Sequence, residues 1–192
     1  MDDERVLVDR LRAGDEQAFA EVVRRHQAQL LRLAHATVGS RAVAEEVVQD
    51  TWLAVVRGVE RFEGRSSLKT WLFRILINRS RSAVTKEQRA GRPDDSGDER
   101  FDEGGAWIDP PEPWADRADD RIVAAQLAGR VQELLPQLND TQREIIVLRD
   151  VEGLSAPETA ELLGISDGNQ RVLLHRARAR VRELLAAEMS TP

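Results

Sequence analysis

The chain has 192 residues, a formal net charge of −6, 41% hydrophobic residues and no cysteine. The lack of cysteine excludes disulfide frameworks, thiolate zinc sites and cysteine nucleophiles. No apolar run approaches the ~18 residues that a membrane helix needs, and the acidic N-terminus is unlike a signal peptide, so we expect a cytoplasmic protein without a membrane segment.

Charge is distributed unevenly along the chain. Residues 94–120 contain eleven acidic and two basic residues, whereas residues 65–92 contain eight basic residues and one acidic residue. Residues 170–183 contain five arginines and one glutamate. Two basic blocks separated by an acidic stretch are compatible with nucleic-acid contact, and solvated helix faces give the same pattern.

Residues 88–118 are predicted to be a linker between two domains. Their glycines and prolines stand among acids, and such a composition cannot bury enough apolar surface to offset its ordering entropy. The domains are then residues 1–87 and 119–189. Apolar residues recur at helical spacing in both, without a strand signal. The sequence therefore predicts an all-α fold of two small helical domains joined by a flexible acidic linker.

Three helices are predicted in the N-terminal domain. The first follows the capping signal of Asp15, the second opens near Ser40, and the third starts at Ser66 or Ser67. In the third helix, Trp71 shares a stripe with other apolar residues, which favours a core position, whereas Phe73 lies off that stripe. Phe73 is therefore the better candidate for a stacking platform at the surface. One apolar stripe is predicted along the second helix, comprising Val43, Val47, Val48, Trp52, Val55, Val56 and Val59.

The C-terminal domain is predicted to contain a helix-turn-helix. One helix spans residues 123–135 and a second is capped at residue 139 or 140. Ser155 and Glu158 form a capping box before a short helix that ends at Gly164, and Ser166 then caps a long arginine-rich helix. The first turn of that last helix is the part that would enter a DNA major groove. We favour DNA binding over a helical hairpin with a solvated arginine face.

Three groups of motifs then allow a family comparison. The C-terminal domain contains Gln142-Arg143-Glu144, Glu152-Gly153-Leu154-Ser155, Leu163-Gly164-Ile165-Ser166 and His175-Arg176-Ala177-Arg178. The N-terminal domain contains Ala44-Glu45-Glu46-Val47-Val48-Gln49-Asp50-Thr51-Trp52, then Phe62-Glu63-Gly64 and Thr70-Trp71-Leu72. In order and type these resemble the promoter-binding, polymerase-binding and −10-opening segments of bacterial extracytoplasmic-function sigma factors.

The resemblance implies three sets of contact residues. Core RNA polymerase, through its beta and beta-prime subunits, is expected to bind Glu45, Glu46, Gln49, Asp50, Leu53 and Arg57. Single-stranded DNA of the −10 element is expected to contact Phe62, Arg65, Ser66, Lys69, Phe73, Arg74, Asn78, Arg79 and Arg81. Double-stranded DNA of the −35 element is expected to contact Arg149, Gly168, Asn169, Gln170, Arg171, His175, Arg176 and Arg178.

The implied function is that of an alternative sigma factor. Such a protein directs core RNA polymerase to specific promoters and aids promoter melting, with no catalysis and no cofactor of its own. The family usually has an anti-sigma factor as a further partner, so we expect one here. One alternative is a helix-turn-helix regulator with an N-terminal dimerisation or sensor domain. A metal enzyme based on Glu45, Glu46 and Asp50 is disfavoured, because no histidine is near and adjacent helical side chains diverge.

Gln170 departs from the family pattern. An apolar inward residue is expected four positions before Leu174, and this sequence has glutamine there. Either Gln170 is partly buried and hydrogen-bonded, or the helix start is rotated. Whether Gln170, Val172 and Leu173 face DNA or the core is therefore open, and so are the promoter consensus and the inducing signal.

Overall fold

A computed structural model of the chain describes residues 2–89 and 133–189. Within these ranges the chain forms seven α-helices and no strand, which confirms the all-α class. In chain order the helices are α1 (Asp2–Arg12), α2 (Glu16–Val38), α3 (Arg41–Gly58), α4 (Leu68–Arg89), α5 (Asp140–Ile146), α6 (Ala156–Leu163) and α7 (Asp167–Met189). Two 3-10 turns, Val59–Arg61 and Leu135–Gln137, and a π-helical turn, Val147–Val151, complete the described elements.

Helices α1 to α4 form one bundle, which we call the N-terminal bundle. Helices α2, α3 and α4 pack against one another in pairs. Their inward stripes bury Leu30, Leu33, Val48, Leu72 and Leu76 to at most 1% exposure. Each such side chain stabilises the fold by about 1.5–3 kcal/mol relative to an exposed position. Each of these three long helices therefore contacts both of the others, and α2 also contacts α1.

The predicted helix starts agree with the structure. The Asp15 carboxylate accepts hydrogen bonds from the backbone N–H groups of Gln17 and Ala18 at the start of α2. The Ser67 hydroxyl accepts one from the backbone of Thr70 and so caps α4. Helix α3 begins directly after Ser40. The Asp15 and Ser67 caps satisfy N–H groups that have no partner inside the helix, whereas the Ser40 side chain makes no such bond.

Helix α1 is an element that the apolar pattern did not predict. Leu7, Val8 and Leu11 of this helix are buried, and the helix packs on α2 and on the 3-10 turn after α3. The Arg12 guanidinium donates a hydrogen bond to the backbone carbonyl of Phe62. Helix α1 thus holds the loop between α3 and α4, where the predicted −10 contacts begin.

Helices α5 to α7 and the turns between them form a second, smaller bundle, which we call the C-terminal bundle. Its core includes Ile145, Ile146, Leu148, Ala177 and Val181, all fully buried. Helix α7 packs on α5 and on α6. The arrangement of α6, turn and α7 is the predicted helix-turn-helix.

The predicted linker lies almost entirely outside the described residues. So does most of the helix predicted over residues 123–135, although its end is described. There Pro136 stands in the 3-10 turn Leu135–Gln137, which follows two helical residues at 133 and 134.

Candidate functional site

The residues predicted to bind polymerase share one exposed face of α3. All six are exposed, and with Val56 they fall within about 140° of arc at 100° per residue. Leu53 and Val56 are 56% and 57% exposed, and among the described residues Val6 of α1 is the one other large apolar side chain exposed to this extent. Val56 was expected in the inward stripe, and that expectation was wrong because Val55 and Val59 fill the core instead. The face combines acidic groups with an uncovered apolar pair.

Two ion pairs border this face. Glu45 Oε1 accepts a hydrogen bond from Arg41 Nε, one helical turn earlier, at a distance of 3.0 Å. Asp50 lies 3.8 Å from Arg79 of α4, measured from Oδ2 to Nη1. Both pairs are solvent-exposed, so each contributes at most about 1 kcal/mol and is easily exchanged for another partner.

Two aromatic residues predicted to contact DNA are buried instead. Phe73 has no exposed surface, and Phe62 is 5% exposed with its ring centroid 5.0 Å from that of Trp71. The prediction that Phe73 offers a stacking platform was wrong, because α4 is covered on more than one side. Trp71, in contrast, is half-buried and packs against the core.

The polar and basic residues predicted for the −10 element lie on different sides of α4. Arg74, Asn78 and Arg81 fall within about 60° of arc. Arg79 lies on another side, toward α3, where it pairs with Asp50. In the loop before α4, Arg65 is 86% exposed beside Glu63, and Ser66 is half-buried.

Three of these basic residues contact the C-terminal bundle. The Lys69 ammonium lies 3.1 Å from Glu152 Oε2 and donates to the Glu152 backbone carbonyl at 2.6 Å. Arg74 Nη2 lies 2.7 Å from Glu161 Oε1. Arg81 Nη2 donates to the backbone carbonyl of Leu163 at 2.8 Å.

The helix-turn-helix is built as its sequence predicts. Ser155 and Glu158 form a reciprocal capping box, with the Ser155 N–H donating to Glu158 Oε2 at 2.9 Å. Gly164 ends α6 with φ of 70°, a left-handed conformation that suits glycine. The Ser166 hydroxyl accepts from the backbone N–H of Asn169 at 3.2 Å and caps α7.

Hydrogen bonds also set the charge of Glu158. Bonds from the Ser155 hydroxyl and backbone, together with one from the Thr70 hydroxyl of α4, hold the pKa of the Glu158 carboxyl below its ordinary value. Thr70 Oγ1 lies 2.8 Å from Glu158 Oε1. Glu158 is therefore a carboxylate at neutral pH. The same carboxylate caps α6 together with Ser155 and contacts Thr70 of the N-terminal bundle.

At the start of α7 the predicted −35 contacts separate into exposed and buried residues. Gly168 and Arg171 are exposed and Asn169 is half-buried, so they can reach DNA. Gln170 is 1% exposed, and neither polar atom of its side chain has a hydrogen-bond partner. The prediction that Gln170 contacts DNA is wrong for this conformation, because the side chain fills the apolar position that precedes Leu174.

Two further predicted −35 contacts are held inside the C-terminal bundle. Arg178 makes a bidentate pair with Asp150, at 3.0 Å from Nε and 2.7 Å from Nη2, and the Asp150 side chain is 3% exposed. Arg149 donates to the backbone carbonyl of Leu154, and its Nε is buried. Both arginines therefore brace the π-helical turn, which corrects their assignment as DNA contacts. His175 and Arg176 are half-buried.

The sequence analysis missed the residues that join the bundles. Glu152 was noted only as part of a motif, and Arg32 and Glu161 were not singled out at all. Arg32 Nη2 lies 2.7 Å from Glu152 Oε1, across 120 residues of sequence. No local pattern marks such a contact, because each residue alone has the composition of an ordinary polar helix face.

Within the described ranges, no cluster of three or more His, Asp or Glu side chains could hold a metal ion. No helix in that part of the chain is long and apolar enough to cross a membrane.

Comparison with known proteins identifies both bundles. The family model of Sigma-70 region 2 matches residues 22–90, and that of Sigma-70, region 4 matches residues 128–181. The chain is 30% identical over 178 residues to the ECF RNA polymerase sigma-E factor of Haemophilus influenzae, and the match covers 91% of each chain.

Two solved structures are similar over nearly the whole chain. One is CnrH, of Cupriavidus metallidurans, in complex with the cytosolic domain of CnrY, with a TM-score of 0.60, 27% identity and coverage of 96% of this chain and 97% of that one. The other is the sigma factor RpoE in complex with the anti-sigma factor NepR from Bartonella quintana. It has a TM-score of 0.60, 27% identity and coverage of 88% of this chain and 96% of that one.

Proposed function

The chain belongs to the extracytoplasmic-function sigma factors of RNA polymerase, and from this premise we propose which of its surfaces bind polymerase and which bind promoter DNA. As a sigma factor it directs core polymerase to specific promoters and initiates transcription there. The exposed face of α3 is the observation on which the assignment of surfaces depends most.

Core polymerase binds the α3 face. The uncovered Leu53 and Val56 supply apolar surface for a protein partner, since large apolar side chains that stay exposed mark interaction sites. Glu46 and Asp50 beside them are exposed carboxylates that select a basic partner surface and speed association. Arg57 at the end of the same face adds a charge of opposite sign, which fixes the orientation of docking.

The first prediction tests this face by charge reversal. Asp50→Lys should weaken capture of the chain by core polymerase at least about tenfold, because a like charge then faces the basic partner surface. Binding is measured by fluorescence anisotropy of labelled protein titrated with core enzyme. Glu16→Lys on α2 is the matched control and should leave affinity unchanged. Equal affinity for Asp50→Lys and wild type would show that polymerase binds elsewhere.

The helix-turn-helix binds duplex DNA of the −35 element through the first turns of α7. Arg171 is exposed there, and Asn169 is close enough to solvent to reach a base edge. Arginine pairs with guanine edges or phosphates, and asparagine pairs with adenine. The backbone N–H groups at the start of α7 also favour a phosphate. His175 and Arg176, one turn further along, are proposed phosphate contacts.

A second prediction concerns this surface. Arg171→Ala in the reconstituted holoenzyme should reduce promoter affinity and lower the slope of log affinity against log salt by about 1, because one phosphate or base contact is lost. Affinity is measured by filter binding at several salt concentrations on a promoter mapped by transcript starts. Arg5→Ala on α1 removes an equally exposed arginine and should change neither quantity. An unchanged salt slope in Arg171→Ala would mean that the recognition surface is wrongly placed.

The −10 element is bound by exposed polar residues on two sides of α4 and by the loop before it. Exposed Arg65, Asn78 and Arg79 can reach DNA in the described conformation. Single-stranded DNA needs cations for its phosphates and a polar group for a base edge, and these residues provide both. Because Phe62 and Phe73 are buried, capture of an extruded base depends on the loop at residues 62–69 rather than on those rings.

The chain works without chemistry of its own and together with protein partners. We propose that it acts in the cytoplasm, where core polymerase polymerises RNA, and that it is not an enzyme. An anti-sigma factor is a further proposed partner, and the solved complexes of CnrH with CnrY and of RpoE with NepR support this.

A further inference from the structure

Helix α1 holds the loop of residues 62–67 at both of its ends. The Arg12 guanidinium donates to the backbone carbonyl of Phe62, where the loop begins. The Glu4 carboxylate accepts the backbone N–H of Leu68, the first residue of α4, with N to Oε1 at 2.7 Å. These contacts span 50 and 64 residues of sequence. The ends of the loop are therefore fixed by a distant element of the N-terminal bundle.

Between these two ends the loop is open to solvent. Phe62 and Leu68 are 5% and 2% exposed, whereas the side chains of Glu63 and Arg65 are 63% and 86% exposed. Of the residues between Phe62 and Leu68, Ser66 is half-buried and the rest are exposed. The loop thus presents a short accessible segment from two buried, fixed points.

Helix α1 is itself fixed by apolar packing that does not involve Glu4 or Arg12. These two side chains lie on the exposed part of the helix and reach the loop from there. The helix is held on α2 and on the 3-10 turn by three buried residues, Leu7, Val8 and Leu11. Substitution of Glu4 or Arg12 should therefore release the loop and leave α1 in place.

Glu4 supplies a hydrogen-bond acceptor that the start of α4 lacks. The first N–H groups of a helix have no partner within it. The Ser67 hydroxyl accepts the N–H of Thr70 at 3.1 Å, and Glu4 accepts that of Leu68. The helix dipole also favours a carboxylate at this end. The point where the loop ends and α4 begins is therefore set by one local residue and one residue of α1.

We propose that Glu4 and Arg12 are positioning residues for −10 recognition, which hold the exposed middle of the loop in the conformation that captures an extruded base. The inference rests on the proposed role of this loop in −10 binding. A loop that is already ordered loses less conformational entropy when it binds. Glu4 acts through the loop, and its negative charge alone would oppose binding of a polyanion. Removal of Glu4 should therefore weaken DNA binding although it removes a negative charge.

Hydrogen exchange of the Leu68 backbone amide reports the anchor without reference to DNA. In Glu4→Ala of the full chain, NMR should show this amide exchanging about tenfold faster than in wild type, since a hydrogen bond to a charged group is lost. Glu4→Gln keeps an Oε1 acceptor and should stay close to wild type. Asp3→Ala removes a neighbouring exposed acid of α1 and should leave the rate unchanged.

A second arm measures binding of DNA by the reconstituted holoenzyme. The probes are a fluorescent single strand with the −10 sequence of a promoter mapped by transcript starts, and copies with one abasic site at each position in turn. In wild type, the abasic site at the captured base should cost the most affinity. Glu4→Ala should bind the intact strand about tenfold more weakly and lose most of the penalty at that position alone. Asp3→Ala has the same net charge and should keep the wild-type profile.

Arg12→Ala releases the other end of the loop and keeps the test valid should Glu4→Ala fail to fold. It is expected to reduce the abasic penalty at the same position. Arg5→Ala removes an exposed arginine of the same helix and should keep that penalty. Agreement between Glu4→Ala and Arg12→Ala, which change the charge in opposite directions, would exclude a purely electrostatic effect.

The outcomes separate the inference from the function on which it rests. Unchanged Leu68 exchange in Glu4→Ala would overturn the inference, and so would faster exchange with an unchanged abasic profile. A weaker binding in which every abasic penalty is kept would also overturn it, because that pattern indicates a general loss of folded protein. The loop itself is tested by Arg65→Ala, since Arg65 lies in its exposed middle. If Arg65→Ala costs no affinity while Leu68 exchange still rises in Glu4→Ala, the failure lies in the proposed −10 surface and not in the anchor.

Discussion

Gln170 occupies an apolar position in the core of the C-terminal bundle. Its side chain is 1% exposed, and both its amide nitrogen and its oxygen lack a hydrogen-bond partner. A buried polar group without a partner costs about 1–3 kcal/mol. Gln170 thus lowers the stability of the recognition helix at the point where α7 meets the turn.

We therefore predict that Gln170→Met stabilises the protein by about 1–3 kcal/mol, because methionine keeps the volume of the side chain and removes the unpaired amide. The measurement is the denaturant midpoint of the full chain, with an unchanged dependence on denaturant concentration. Gln49→Met, at an exposed helical position, is the control and should change stability by less than about 0.5 kcal/mol. A destabilised Gln170→Met would mean that the amide does have partners in solution.

His26 is a second buried polar residue, and it responds to pH. Burial lowers the pKa of its imidazole below the ordinary value of 6.5, and the hydrogen bond with Gln29 opposes that shift only in part. Nearby Arg25 and Lys69 also disfavour a positive charge there. The folded chain therefore binds this proton less readily than the unfolded chain does.

The sign of the resulting pH dependence follows from linkage. The contribution of His26 is fully present above about pH 6.5 and is lost as pH falls from that value through the lowered pKa of the folded state. Wild type should thus lose stability as the pH falls below about 6.5, and His26→Gln should lose less over the same range. Thermal unfolding at a series of pH values measures both, and parallel profiles for the two proteins would exclude His26 as the cause.

At the scale of elements, the turn of the helix-turn-helix depends on the backbone of one glycine. Gly164 has φ of +70° and no atom within 4 Å of a Cβ placed on it, whereas Gly168 lies in α7 without positive φ. Alanine at position 164 is penalised by backbone strain alone, at about 1–2 kcal/mol. Alanine at position 168 meets only the Ser166 hydroxyl at 4.0 Å and gains about 0.5–1 kcal/mol of helix propensity.

The two substitutions should therefore change stability in opposite directions. Gly164→Ala is expected to lower the unfolding midpoint and Gly168→Ala to raise it, in the same chemical denaturation experiment. Each serves as the control for the other, because both replace a hydrogen by a methyl group within the same motif. A loss of stability in both variants would contradict the assignment of strain to residue 164.

The elements also show how far sequence reasoning reaches. Caps at Asp15, Ser155 and Ser166 could be predicted because they are local, and so could the helix-turn-helix. The burial of Phe73 could not, because α4 packs against α2, α3 and α6, so a position off the main stripe is still inside. The amphipathic pattern of a helix identifies one covered side and not several.

At the scale of the whole molecule, contacts between the bundles lie beyond what sequence could predict. The six exposed residues of the α3 face were predicted from the family resemblance, and the structure leaves all of them available. Lys69, Arg74 and Arg81 were predicted as DNA contacts, and the structure pairs them with the other bundle. Those pairings join residues more than 80 positions apart, and only the packed chain brings them together.

The net charge of −6 is compatible with DNA binding once its distribution is considered. Residues 94–120 contain eleven acidic and two basic residues, so this segment alone is more negative than the whole chain with its net charge of −6. The remaining residues are basic on balance, and their cations are concentrated on α4 and α7. A polyanion therefore meets local positive surfaces rather than the average charge.

Run-off transcription with purified core polymerase tests the central claim most directly. Templates are chosen by mapping transcript starts after overexpression of the chain. Core enzyme alone should give no discrete product, the added chain should give one transcript from each mapped start, and Asp50→Lys at the same limiting concentration should give much less of it. Absence of discrete transcripts from every mapped template, with promoter DNA still bound by the chain, would contradict the account and identify a helix-turn-helix regulator instead.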